Sequence, residues 1–206
     1  MSEDGSTAAR PKLFIQMSGA PGAGKSSMAR LLQQSIGGLV IDHDVVRSSL
    51  LQSTAGLLPF DHVAKTAYGL HWALADSAMQ QGLAAVIMDS TCNSPEVVDR
   101  GAELAARHGY IYWYVECMVT DVDLLDRRLR ARERPMASQR TAVDEPPAAA
   151  ASARAGEDSR ALFRRWIDSP CRPSALDRVI VVDSSADLEE GRDLVLQKIL
   201  PGVEGR

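Results

Sequence analysis

Short apolar runs recur along the chain, each closed by glycine or aspartate and followed by a stretch whose apolar positions repeat every three or four residues. The first run, Lys12 to Met17, predicts a buried strand; a Gly-rich turn follows, and helical spacing begins at Gly24 and passes through Met28, Leu31 and Leu32. After Gly37 and Gly38, LVIDHDVVRSSLLQ predicts a second strand ending in two aspartates, then a helix through Val46 and Leu50. From Asp61 to Gly82 the spacing is again helical, with glycine where a C-terminal cap belongs. AAVIMDST predicts a third strand, and SPEVVDRGAELAARHG a helix opened by Ser-Pro-Glu and closed by glycine. A fourth strand, YIYWYVECMV, leads into an arginine-rich helix beginning near Asp121; DRVIVVDSS, from Asp177, gives a fifth, and a closing helix runs from Asp187 to about Leu200.

Strand and helix alternating in this way imply an α/β fold: a mostly parallel sheet with helices on both faces, binding ligands at the carboxyl ends of the strands. The pattern predicts one domain over residues 12–206 behind a flexible tail at 1–11. Met136 to Ser159 is rich in Ala, Ser and Pro and shows no apolar face. Long loops in compact domains commonly cover active sites, so we read a lid or flexible insertion at about 133–160, with a disordered insertion of no role as the competing reading.

Composition narrows the function classes. At 206 residues, 45% apolar and 24% charged, the chain suits one soluble domain with a substantial core. No apolar stretch nears the roughly 20 residues of a membrane span, and MSEDGSTAAR lacks a signal-peptide core, so a cytoplasmic protein without a membrane partner is expected. Cys92, Cys117 and Cys171 form no C-x-x-C pair, which suggests neither disulfides nor zinc. A net charge of −4 disfavours a broad nucleic-acid surface, although five arginines cluster between Leu124 and Pro135. Oligomeric state is not readable from the pattern.

The chemistry begins at GAPGAGKSS, Gly19 to Ser27, which fits G-x-x-x-x-G-K-[ST] and lies between a strand and a helix, as that motif requires. The loop Gly19, Ala20, Pro21, Gly22, Ala23 and Gly24 can surround a phosphate with its backbone N–H groups, Pro21 supplying none, only where side chains do not block it, which explains the glycines. Lys25 can reach the terminal phosphates, the Ser26 hydroxyl suits Mg²⁺, and Ser27 completes the loop. Asp89, ending the third strand, is placed to hold the magnesium, with helix capping as its competitor.

The second strand supplies the acceptor side. In IDHDVVR, Asp44 and Arg47 have the spacing that puts a carboxylate and a guanidinium near one helix start, suited to orienting a hydroxyl, accepting its proton and binding an anionic group. Asp42 is the alternative base. His43, between the acids, reads as a surface or turn residue, and His62, His71 and His108 as structural. Helical spacing places Arg127, Arg130 and Arg134 on one face and Arg128 with Arg132 on another. Phe60, Tyr68 and Trp72 read as core, with substrate contact as the competing reading.

These segments, with VIMDSTCNSPEVVDRGAELAARHG and LLDRRLRARERP, resemble the AAA_33 or zeta-toxin-like P-loop kinases, which include polynucleotide 5′-hydroxyl kinases and antibiotic O-phosphotransferases. The resemblance implies a five-stranded parallel sheet of the nucleoside-monophosphate-kinase type, ATP with Mg²⁺, and a lid that supplies arginines. Carried over by position, Lys25 and Ser26 belong to the phosphate loop, Asp44 is the candidate base, Arg47 its substrate-side arginine, Asp89 the strand-end acid, and Arg128 and Arg132 the lid arginines. The expectation is an ATP-dependent kinase acting on a small-molecule hydroxyl. A polynucleotide kinase is the alternative, and a nucleotide-dependent switch ranks third, since no N-K-x-D motif is present.

Overall fold

The computed structural model describes residues 11–55, 57–152 and 154–200; apart from Pro11, the expected N-terminal tail lies outside them. Strand β1 (Leu13–Ser18) is buried along its whole length, as a strand covered on both faces must be. Its alternation sorts the core: Leu13, Ile15 and Met17 enter one apolar cluster and Phe14 another. Gln16, the one amide among them, is satisfied, donating to the Val97 carbonyl at 3.0 Å and accepting from the Tyr112 hydroxyl at 2.8 Å.

The chain continues through α1 (Lys25–Ile36), β2 (Leu39–Asp42), α2 (His43–Ser53), α3 (Phe60–Gln80), β3 (Ala85–Asp89), α4 (Pro95–His108), β4 (Ile111–Met118) and α5 (Val122–Arg130). It ends with α6 (Ser159–Asp168), β5 (Val179–Asp183) and α7 (Leu188–Ile199). The five strands pair in parallel in the order β2-β3-β1-β4-β5. The chain leaves β1 toward one edge and returns past it to build the other, so the crevice where strand order reverses opens at the end of β1. One cluster joins that sheet to α1, α5, α6 and α7; the second joins it to α3 and α4.

Three expectations change here. Helix α5 stops at Arg130, with Ala131 as its C-cap, so Arg132 and Arg134 share no helical face with the earlier arginines. Pro135 keeps Arg134, the residue before it, out of the α region, so the helix does not resume there. The segment after it is packed, not faceless: Ala142, Val143 and Ala150 are buried, and the Val143 N–H donates to Asp126 at 2.7 Å. Arg140 is buried beneath it, paired with Glu157 and donating to the Val143 carbonyl and the Ser159 hydroxyl. Finally α6 was not foreseen, although Asp158 caps it through the Ala161 N–H and Leu162, Phe163, Trp166 and Ile167 form its apolar stripe. Burying Phe163 completely contributes on the order of 2 kcal/mol to holding that helix on the core.

Candidate active site

The loop after β1 is shaped by close approach. Gly19 has φ 129°, and a Cβ there would collide with the Cys117 carbonyl of β4; Gly22, at φ 86°, faces the Leu125 carbonyl of α5. Only glycine meets both demands. Gly24 leads into α1 without a side-chain cap, leaving the first N–H groups of that helix to a ligand in the loop. Lys25 folds over the loop, its Nζ donating to the Gly19 and Ala20 carbonyls at 2.9 and 3.0 Å. The buried Ser184, at the end of β5, ties the loop down from beneath by donating to the Ala23 carbonyl at 2.7 Å. Sequence reasoning had not singled out Ser184, because its partner lies far away in the chain.

Three carboxylates gather at the strand ends beside this loop. Asp42 and Asp89 are register partners on β2 and β3. Burial raises the Asp42 carboxyl to about 6, with the Asp89 and Asp44 charges adding to the shift. Its Oδ1 is also committed as the cap of α2, accepting from the Asp44 and Val45 N–H groups at 2.8 and 3.4 Å. Asp89 is buried and one of its oxygens, Oδ2, has no protein partner; burial raises its carboxyl while Lys25 and the Ser26 hydroxyl pull it back. Such an oxygen beside a phosphate loop fits a Mg²⁺ shared with a nucleotide. No cluster of three His, Cys, Asp or Glu side chains able to hold a metal alone occurs among the described residues.

Asp44 projects into the same cleft and is gripped by the segment that follows α5. Ser138 Oγ donates to its Oδ1 at 3.1 Å and Gln139 Nε2 to its Oδ2 at 3.0 Å, while Ser48 Oγ donates to Ser138 Oγ at 2.9 Å. Arg132 is half-buried where the charges of Asp44, Asp89 and Asp42 act on its guanidinium, and its Nη1 donates to the Arg140 carbonyl at 3.3 Å. Arg47, a turn beyond Asp44, lies over the Phe60 ring at 4.0 Å, with its Nε buried and unpartnered. Arg128 lines the cleft from the other side, donating to the Ser184 and Ser185 carbonyls at 2.9 and 3.2 Å.

The cleft therefore brings together the loop residues Pro21, Gly22, Gly24, Lys25, Ser26 and Ser27 with Asp44, Arg47, Asp89, Arg128 and Arg132, in a space of about 1400 Å³. Gly19, Ala20 and Ala23 shape the loop from behind, the latter two buried. Of the aromatics, Trp72 is in the core, Phe60 is buried and also lines the cleft, and Tyr68 lines the cleft. His43 is buried, not on the surface, with its ring centroid 4.1 Å from that of Tyr68. Arg140, Ser138 and Gln139 carry no sequence signal of their own.

Residues 14–155 match the model of the AAA domain family AAA_33. No curated protein sequence matches the chain. Among solved structures, a protein of Chloroflexus aurantiacus described as a kinase is 18% identical, with 94% of this chain and 99% of that one covered and a TM-score of 0.64. A gluconokinase from Sinorhizobium meliloti is 16% identical over 92% of each chain, with a TM-score of 0.57. The APS kinase CysC of Mycobacterium tuberculosis, solved with AMPPNP and APS, is 19% identical over 92% of this chain and 98% of its own, with a TM-score of 0.50. With a phosphate loop at the switch point of a 2-3-1-4-5 parallel sheet and a family match across most of its length, the chain belongs to the AAA_33 family and has the P-loop kinase fold.

Proposed function

We propose that the protein is an ATP-dependent kinase that transfers the γ-phosphoryl group to a hydroxyl of a small-molecule acceptor. The observation that carries this reading is the Asp44 carboxylate opening on the cleft that also holds the phosphate loop. A switch or motor needs only to position water; a carboxylate held at both oxygens by Ser138 and Gln139 suits the orientation of a hydroxyl and removal of its proton. Asp42 suits that role less well, because its Oδ1 is taken up by the cap of α2. The solved structures of similar fold described as kinases support the same class of reaction.

The loop N–H groups and Lys25 would grip the phosphates of ATP, and Ser26 with Asp89 would hold the Mg²⁺. When bound, that ion neutralises charge on the β- and γ-phosphates. As the acceptor oxygen bonds to phosphorus and the bond to the ADP oxygen breaks, Asp44 takes the hydroxyl proton. Arg132, close to these acids, offsets charge on the moving phosphoryl group.

Asp44→Asn tests the assignment. It keeps the shape and the Gln139 contact region but cannot accept the proton, so transfer should fall by roughly 10²- to 10⁴-fold while ATP affinity stays within about twofold. Unchanged turnover would remove Asp44 from the reaction. Phosphate release that is substantial without any acceptor, and insensitive to adding one, would favour a switch ATPase instead.

A further inference from the structure

Helix α2 carries Asp44 and Arg47 into the cleft, yet it buries only two side chains, His43 and Ser48, both polar. It meets α3 through polar groups laid on aromatic rings: the His43 and Tyr68 ring centroids are 4.1 Å apart, and the Arg47 guanidinium lies 4.0 Å from the Phe60 centroid. Most helices take their place from an apolar stripe sunk into the core. With no apolar side chain of α2 buried, hydrogen bonds have a larger share in setting how it sits, and with it where Asp44 points.

Those bonds converge on Ser138 and Gln139, the first of them 90 positions beyond Ser48. Ser48 lies one turn after Asp44 on the same face of α2 and makes no hydrogen bond to the Asp44 carboxylate among the described residues. Its hydroxyl accepts from the Ser138 N–H at 3.1 Å and donates to Ser138 Oγ at 2.9 Å. A hydroxyl has one hydrogen to give. Ser48 gives its own to Ser138, whose hydrogen is left for Asp44, with Oδ1 at 3.1 Å and the carbonyl oxygen at 3.2 Å. The charged oxygen is the stronger acceptor of the two. Gln139 is aligned as well: the Met136 N–H donates to its Oε1 at 3.1 Å, which turns Nε2 toward Asp44 Oδ2 at 3.0 Å. Each carboxylate oxygen thus receives one hydrogen from the α5–α6 segment and keeps a lone pair for an acceptor hydroxyl.

We infer that Ser48 is a positioning residue: by holding Ser138 at both its N–H and its hydroxyl, it fixes the Asp44 carboxylate that it does not itself touch. This rests on the kinase reading and adds to it the residue that aims the base. Both serines are buried, so without the Ser48 hydroxyl the Ser138 N–H is left in a buried place with no acceptor. The segment then shifts to find one, and Ser138 and Gln139, adjacent in the chain, take both contacts of Asp44 with them. An apolar pair in place of Ser48 and Ser138 would join the same two elements but would leave Asp44 Oδ1 without a donor. The hydroxyls serve the carboxylate as well as the packing.

Carboxyl-carbon NMR signals of the aspartates, recorded without any acceptor, test this apart from catalysis, the Asp44 signal being the one that Asp44→Asn removes. In Ser48→Ala and in Ser138→Ala that signal should move in the same direction. In Ser48→Thr, which keeps a hydroxyl, it should return toward its wild-type position. Unmoved signals of Asp121 and Asp187, which cap α5 and α7, show that the variants are folded. An Asp44 signal that stays in place in Ser48→Ala overturns the proposal. A second arm measures kcat with gluconate, glycerate or glycerol, whichever wild type phosphorylates. It should fall on the order of tenfold in Ser48→Ala, with KM for ATP within about twofold of wild type and most of the loss recovered in Ser48→Thr. A carboxyl signal that moves while kcat does not means that Ser48 holds a carboxylate with no part in transfer, which overturns the positioning role. The carboxyl arm needs no acceptor, so it stands or falls apart from the kinase reading, which a wild type inert toward every hydroxy compound would remove.

Discussion

His43 shows how much a single position depends on its distant neighbours. In sequence it lies between two aspartates, which suggests a solvated turn; in the fold it is buried, stacked on Tyr68 and 5.5 Å from the His71 ring. His71 in turn donates its Nε2–H to the Ile41 carbonyl at 2.7 Å, leaving Nδ1 bare. Burial lowers His43 to about 4, His71 adding to the shift, and burial lowers His71 as well. An unfolded histidine takes up its proton near pH 6.5, so below that pH the unfolded chain gains protons that these sites refuse. Stability should therefore be unaffected by His43 above about pH 6.5 and fall as the pH drops toward 4, by roughly 3 kcal/mol from this residue. Urea midpoints measured from pH 7 to 4.5 should fall less steeply for His43→Asn than for wild type; parallel curves would exclude the histidine. Gln139 makes a separate prediction at this scale. Because it holds one oxygen of Asp44, Gln139→Ala should lower kcat on the order of tenfold by loosening the proposed base, with ATP affinity within about twofold of wild type. Neither His43 nor Gln139 is legible in sequence as what it is, since burial and contact here come from α3 and from a segment some ninety positions away from Asp44.

Among the elements, legibility follows how local the signal is. The strands announce themselves as apolar runs bounded by glycine or aspartate, and β1 falls within a residue of its expected limits. The caps do the same for helices: Pro95 opens α4 and Gly109, at φ 70°, closes it. Helix α6 failed to announce itself because its apolar stripe is diluted by Arg160, Arg164 and Arg165 and preceded by an Ala- and Pro-rich stretch. What orders that stretch is Arg140, whose charge is buried against Glu157 and beside the Phe163 ring at 5.7 Å. A buried ion of this sort adds little by its presence but is costly to break, about 3–5 kcal/mol when one partner is removed. Arg140→Met should therefore leave Glu157 uncompensated and free the segment between α5 and α6 before the rest of the fold. Hydrogen exchange should quicken at residues 142, 143 and 150 while β1 and β3 stay protected; uniform quickening would mean that Arg140 stabilises the whole domain instead.

For the whole molecule, the sheet order matters more than any single contact, because it brings the end of β1, β2 and β3 to one crevice and leaves β4 and β5 to carry the other wall. The phosphate loop was legible because all its parts are contiguous, from Gly19 to Ser27. The far end of the cleft was legible only in part: Asp44 and Arg47 lie in one short segment, but Phe60 and Tyr68 come from α3 and other lining residues from the α5–α6 segment. A ligand that binds across these elements must also tie them together, and that linkage is measurable. Mg²⁺ with AMPPNP at a hundred times its dissociation constant should stabilise the folded state by about 2.7 kcal/mol. For a chain of this size each kcal/mol moves the midpoint by about 2–4 °C, so Tm should rise by about 5–10 °C. Lys25→Met removes the cation proposed to reach the phosphates while leaving the loop glycines in place, and the rise should shrink to under about 2 °C, with the Tm of the ligand-free variant little changed. A full shift in Lys25→Met would place the nucleotide elsewhere. A shift in wild type that vanishes without Mg²⁺, and that Asp89→Asn also halves or abolishes, would mark Asp89 as the carboxylate through which the ion joins nucleotide to protein.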